Sequence, residues 1–226
     1  MATRTLARIS AVIACAAFGG AIASYESPSV QWRFDVSLDG KPIGFHTFEL
    51  QQDGAQKVLV TEASFDVKFL FITAFRYRHE NTEIWDNGCL RSLDAATNSN
   101  GRELLVRGSV EEDGFSVQNA EGSQALPACV QTFAYWNSAI LDSPQLLNSQ
   151  TGVYEDVSVT PEGPDQVSVG GKSVEAMRYR LSAQAGDIKL WYATSDNTWI
   201  GLEAPAKGGR KILYQAIAVP ESGVVS

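Results

Sequence analysis

Residues 32 to 38 read W-R-F-D-V-S-L, strict alternation of apolar and polar positions, and the same two-residue period returns along most of the chain. Successive side chains of a pleated strand point to opposite faces, so this period marks half-buried β-structure. Trp32, Phe34, Val36 and Leu38 share one face; Arg33, Asp35 and Ser37 share the other. D-G-K-P-I-G then supplies a hairpin turn, F-H-T-F-E-L a second strand, Q-D-G-A another turn, and K-V-L-V-T-E-A-S-F-D-V begins a third. Turn pairs recur at Asn87-Gly88, Asn100-Gly101, Asp113-Gly114, Gly170-Gly171, Asp196-Asn197 and Gly208-Gly209. Regularly spaced turns between β-rich runs predict an all-β fold, an antiparallel meander forming a strongly curved sheet. One stretch departs from the pattern. In T-F-A-Y-W-N-S-A-I-L-D-S-P, Phe133, Trp136 and Ile140 fall at helical spacing and Pro144 supplies a stop, which predicts one short helix. It either plugs the sheet as core, or presents Tyr135, Trp136 and Asn137 at the mouth of a ligand site, where amphipathic aromatics combine apolar area with a polar tip.

The densest chemistry lies in F-R-Y-R-H-E-N-T-E-I-W-D, residues 75–86. Alternation places Phe75, Tyr77, His79, Asn81, Glu83 and Trp85 on one face, and Arg76, Arg78, Glu80, Thr82, Ile84 and Asp86 on the other. If the aromatics point inward, His79, Asn81 and Glu83 go with them, and each then needs a partner or a ligand. Two outcomes follow: a satisfied network that fixes strand register, or a polar patch in an otherwise apolar cavity. His79 and Glu83 stand roughly 13 Å apart along a strand, too far to act on one reacting atom unless the strand bends. His46 shares a face with Phe48 and Leu50 and reads as a core or cavity residue. The opposite face, with Arg76, Arg78 and Glu80, reads as solvent-facing ion pairing with cross-strand neighbours.

The first residues set an address. Arg4 and Arg8 precede a short apolar run that ends in Ala21-Ile22-Ala23, the design of a cleaved secretory signal over residues 1–23, with the mature chain starting at Ser24 as a single β-rich domain. A lipoprotein signal ending at Cys15 is the rival reading. No later stretch is apolar and long enough for a membrane helix. Removing the leader leaves 16 basic against 26 acidic residues, a net charge near −10 that argues against a nucleic-acid partner. Cys89 and Cys129 remain, and a single disulfide between them would close a 40-residue separation, worth roughly 4 kcal/mol by loop entropy. A redox or metal pair would call for closer spacing or a histidine cluster, so no metal site and no cofactor are expected. G-G-K-S at 170–173 lacks the upstream glycine of a phosphate loop, since Gln166 holds that place, and the chain contains no G-x-S-x-G and no H-E-x-x-H.

R-Y-R-H-E-N-T-E-I-W-D-N-G-C-L, F-A-Y-W-N, L-L-N-S-Q-T-G, M-R-Y-R-L, D-I-K-L-W-Y and W-I-G-L-E together resemble a family of uncharacterised exported bacterial proteins known only as a domain of unknown function. More loosely, the closing strands are similar to envelope proteins with the half-barrel of lipoprotein carriers, which implies a fold and no activity. The expected function is binding of an apolar or amphipathic molecule, such as a lipid, in a β-cavity of a periplasmic or secreted protein. Two alternatives stay open: an envelope structural or interaction protein with a filled core, and a lipid-acting enzyme with His79 or Glu83 as acid or base.

Overall fold

A computed structural model describes residues 29–69 and 72–220. The expected leader and Cys15 lie outside the described residues. From the amino-terminal side, β1 (Ser29–Leu38), β2 (Lys41–Asp53), β3 (Gln56–Phe69), β4 (Ile72–Asp86), β5 (Cys89–Ser99), β6 (Arg102–Glu111), β7 (Gly114–Asn119) and β8 (Gly122–Leu126) follow one another as neighbours. A small hairpin, β9 (Gln145–Leu147) with β10 (Tyr154–Asp156), stands apart. The chain then resumes the main sheet with β11 (Ser158–Val169), β12 (Lys172–Ala183), β13 (Gly186–Ala193), β14 (Trp199–Ala206) and β15 (Arg210–Ala218). The 13-stranded order runs β11-β12-β13-β14-β15-β1 and on to β8, antiparallel at every step. β1 and β15 pair in the middle, joining the two halves, while β8 and β11 form edges that are not bonded to each other. The expected curved antiparallel meander is the observed architecture, and the sheet is not closed.

Local chemistry sets the corners. Asp39-Gly40, Asn87-Gly88, Asn100-Gly101 and Gly170-Gly171 are two-residue loops with positive φ at both positions, the turn whose twist suits a hairpin. Gly44 answers a different need. Its φ is 150°, a Cβ there would lie 1.8 Å from the Ser64 carbonyl oxygen, and the β1–β2 register slips beside it. Only glycine lets β2 bend this close to β3.

The link between β8 and β11 is the segment that broke the alternation. It crosses the inner side and acts as a plug: Val130, Ala134, Trp136, Ile140, Leu146 and Leu147 join the main apolar cluster with Trp32, Phe34, Phe48, Trp85 and Trp199. The expected helix takes the form of a five-residue 3-10 turn, Ser138–Asp142, in which the Asn137 side chain accepts from the Ala139 amide at 3.2 Å. With that cap on one side and Pro144 on the other, the segment has no room for an α-helix. Cys89 and Cys129 are bonded, tying the start of β5 to the plug's entry. A second apolar cluster, Val36, Leu38, Ile43, Ala63 and Phe65, sits toward the end of the sheet marked by the β1–β2 turn. No helix among the described residues is long and apolar enough to cross a membrane.

Candidate functional site

The β4 face falls inward as alternation requires: His79 is 4% exposed, Asn81 5%, Glu83 2% and Trp85 1%. Phe75, expected inward with them, keeps 38% of its surface. The pairing explains it. β5 ends opposite Tyr77, and β3 shifts register between Val67 and Lys68, so Phe75 overhangs the sheet with no β5 neighbour to cover it. The outer face carries the expected ion pairs for Arg76 and Arg78, both on Asp66 at 3.4 and 2.9 Å. Glu80 differs, because its cross-strand neighbours are Glu62 and Ala96.

Cross-strand register turns these residues into rows. One row reads Phe34, His46, Ala63, His79 and Thr97 across β1 to β5; the next reads Trp32, Phe48, Thr61, Asn81 and Ala95; the third reads Val30, Leu50, Leu59, Glu83 and Leu93. The third row carries a network centred on Glu83. Glu83 accepts from Asn81 Nδ2 at 2.9 Å, Trp85 Nε1 at 3.0 Å and Thr132 Oγ1 at 3.2 Å, so its carboxylate holds the plug to β4. Burial raises its pKa, and the three hydrogen bonds act in the opposite direction without reversing it. His79, bonded through Nδ1 to Thr97 Oγ1 at 2.8 Å, takes no part in that network. The two groups weighed as acid or base therefore do not form a pair.

The first row is less fully paired. His46 Nδ1 meets Tyr214 Oη of β15 at 3.2 Å, while His46 Nε2 is buried without a partner, as is Asn81 Oδ1 in the next row. His46, Tyr77, Tyr135 and Tyr214 each keep part of their accessible surface. Their rings form a belt. His46 stacks on Phe48 at 4.0 Å and lies 5.7 Å from Tyr214 and 6.4 Å from Phe65, which stacks on Tyr77 at 5.2 Å. Tyr77 is in turn 6.3 Å from His79. Tyr135 faces the belt from the plug, its ring 5.2 Å from Trp199. Burial drives this layer to neutrality: His79 falls to about 4, His46 falls well below its ordinary value with the nearby His79 adding to the effect, and the Tyr77, Tyr135 and Tyr214 phenols rise.

A sequence model of the family described as Domain of unknown function (DUF6134) matches residues 34–217. The chain belongs to that family. The DUF6134 match runs from Phe34 on β1 to Ile217 on β15, so it spans both strands of the central seam and the whole plug. No curated protein matches this DUF6134 chain. Among solved structures it is similar to a beta-barrel-like protein of Domain of Unknown Function DUF1849 from Brucella abortus, at 10% identity and a TM-score of 0.61. That similarity covers 85% of this chain and 98% of the other, and it concerns the fold.

Two openings flank the layer in the DUF6134 chain, at opposite ends of the sheet. A vestibule of about 980 Å³ is lined by Leu38, Pro42, Ile43, Val67 and Phe75, with Asp39, Lys41, Asp66, Lys68 and Arg210 around them. Its Leu38 and Ile43 belong to the cluster against which Tyr77 and Tyr214 pack. At the other end a groove of about 600 Å³ is lined by Trp85, Trp136, Asn137, Asn87 and Thr198. The expected site residues thus divide: Phe75 at one mouth, Tyr77, His79 and Tyr135 inside, Trp136 and Asn137 at the far end. Tyr214, Thr97 and Thr132 enter the layer or its supports without a sequence signal of function; the alternation Ile212, Tyr214, Ala216 marks only the face. Among the described residues, no cluster of three or more His, Cys, Asp or Glu side chains is placed to hold a metal ion.

Proposed function

We propose that this chain is an exported envelope protein that binds an apolar or amphipathic small molecule inside its curved sheet. The observation that carries the reading is a set of buried polar atoms without protein partners, His46 Nε2 in the first row and Asn81 Oδ1 and Trp32 Nε1 in the second, while the His46, Tyr77, Tyr135 and Tyr214 rings keep accessible surface. Buried polar atoms are almost always satisfied, so three orphans in two adjoining rows support a guest that supplies the bonds. The vestibule, apolar at Leu38, Ile43 and Phe75 and ringed by charged side chains, offers a mouth at that end of the sheet. The signal-like leader, the Cys89–Cys129 bond and a lipid-rich compartment are mutually consistent. The test is protein purified from an export host, extracted with organic solvent and analysed by mass spectrometry, alongside titration with N-phenyl-1-naphthylamine. A co-purified amphiphile and saturable probe fluorescence, weakened at least fivefold by Tyr77→Ala with the fold intact, are the expected results. Absence of both leaves a filled-core structural protein.

A further inference from the structure

We infer that the end of the sheet formed by the β1–β2, β3–β4 and β14–β15 hairpins is a docking surface for an anionic lipid bilayer. The inference concerns the outside of the molecule, so it stands whether or not the interior holds a guest. Ile72, which opens β4 opposite Phe69, is 73% exposed, more than any other large apolar side chain among the described residues. Thr73, Ala74 and Phe75 after it are exposed as well, and Ala74 and Phe75 share the vestibule with the exposed Pro42 of β2. The sequence joins β3 to β4 through Leu70-Phe71, where the β1–β2 and β5–β6 hairpins turn on Asp39-Gly40 and Asn100-Gly101. Alternation is lost at this point, with apolar residues at both parities over residues 69–72. A strand end that is apolar on both faces cannot hide both in one core, and exposed runs of this kind mark a contact with something apolar.

The charges around these side chains identify the partner. Lys41, Lys68, Lys207, Arg210 and Lys211 lie in or within two residues of the three connections, all of them exposed. Asp39 is the acidic residue in the same spans, and its carboxylate accepts from the Lys211 amide at 2.9 Å. Further along the strands, Asp66 is shared by Arg76 and Arg78, and Glu203 by Lys189 and Lys211. The three hairpins are neighbours: the Asp39 amide donates to the Lys211 carbonyl at 2.9 Å, and the vestibule brings Asp39, Lys68, Phe75 and Arg210 to one opening. A chain with a formal net charge of −8 thus gathers cations at the end where it exposes isoleucine and phenylalanine. Apolar side chains ringed by lysine and arginine match an interface whose headgroups are anionic and whose acyl chains lie just beneath. Each basic group held near such a surface adds about fivefold in affinity. The acidic remainder of the molecule is repelled by the same surface, so charge turns this end, and the vestibule mouth with it, toward the lipid.

Co-sedimentation of the purified protein with extruded vesicles tests this. Vesicles of phosphatidylethanolamine with about one third phosphatidylglycerol should bind it about tenfold or more tightly than phosphatidylcholine vesicles at low ionic strength, and added salt should shrink the difference. Ile72→Asp, at a side chain that the fold leaves open, should lower the affinity by about tenfold or more with the melting temperature unchanged, and Lys41→Gln combined with Lys68→Gln should do the same. Leu105→Asp, at another exposed apolar side chain in the middle of β6, should leave binding as it was. Equal binding to both kinds of vesicle, or an Ile72→Asp protein that binds as well as wild type, overturns the inference. So does a wild-type protein that ignores both vesicles, including one that sediments as a dimer which Ile72→Asp dissociates, since the surface is then a contact between two copies. Uptake of N-phenyl-1-naphthylamine is read separately, so the cavity reading can fail while this inference holds, and the reverse.

Discussion

Glu83 shows how one buried carboxylate joins a strand to a segment 49 residues away, through Thr132. Its folded pKa lies above the ordinary value, so the native state holds the proton more tightly than the unfolded chain does. The stability it contributes is therefore fullest below about pH 4.3 and declines as pH rises through the folded pKa. Glu83→Gln keeps the shape and one carbonyl acceptor, and should remain folded with this part of the pH dependence removed. Glu83→Ala leaves the donors of Asn81, Trp85 and Thr132 without their acceptor and should cost about 3 kcal/mol. Urea unfolding at pH 5 and pH 8 checks both; an unchanged pH slope in Glu83→Gln would assign the effect elsewhere. The inward set on β4 was legible because alternation is a property of the strand itself. The partner that completes the layer was not: Tyr214 reaches His46 across 168 residues, and such a contact depends on which strands become neighbours.

The plug illustrates what periodicity misreads at the scale of an element. Phe133, Trp136 and Ile140 have helical spacing, yet their segment is a succession of bends and turns with one short 3-10 turn, because its apolar side chains answer to the core they fill and its backbone bonds are shared between local turns and other elements. Leu90 N bonds the Val130 carbonyl at 3.1 Å, the Leu147 amide bonds Gln131 at 2.8 Å, and Tyr192 Oη donates to the Tyr135 carbonyl at 2.8 Å. The disulfide fixes this segment at its entry. Replacing Cys89 and Cys129 by serine together should lower unfolding free energy by about 2–4 kcal/mol. Hydrogen exchange should quicken at the Asn137 and Leu147 amides first and leave the β1–β2 amides protected, an order that native-state exchange mass spectrometry reads directly. Uniform quickening over both regions would mean that the bond stabilises the whole sheet and not the plug in particular.

For the molecule as a whole, the neutral layer sets the response to acid. His79 has a folded pKa of about 4 against an ordinary 6.5, and His46 is lowered in the same sense. Such groups add stability that is complete above pH 6.5 and is lost as pH falls from there through the folded values, up to roughly 3 kcal/mol for His79. Glu83 runs the other way and offsets part of this loss. Stability by chemical denaturation should therefore drop between pH 6.5 and pH 4, and His79→Gln should flatten that limb. A profile in which His79→Gln retains the full acid loss would place its origin outside the layer.

The central pairing of β1 with β15 also dictates an order of assembly. β1 to β8 and β11 to β15 are each ladders of near neighbours, which close short loops and form cheaply in entropy. The seam between them is different: Leu38 must find Ile212, and Val36 must find Tyr214, across almost the entire chain. Loop-closure entropy makes that the costliest contact to establish. His46 and Tyr214 come from opposite sides of it, so their hydrogen-bonded layer cannot exist in either half alone and is among the last parts of the molecule to form.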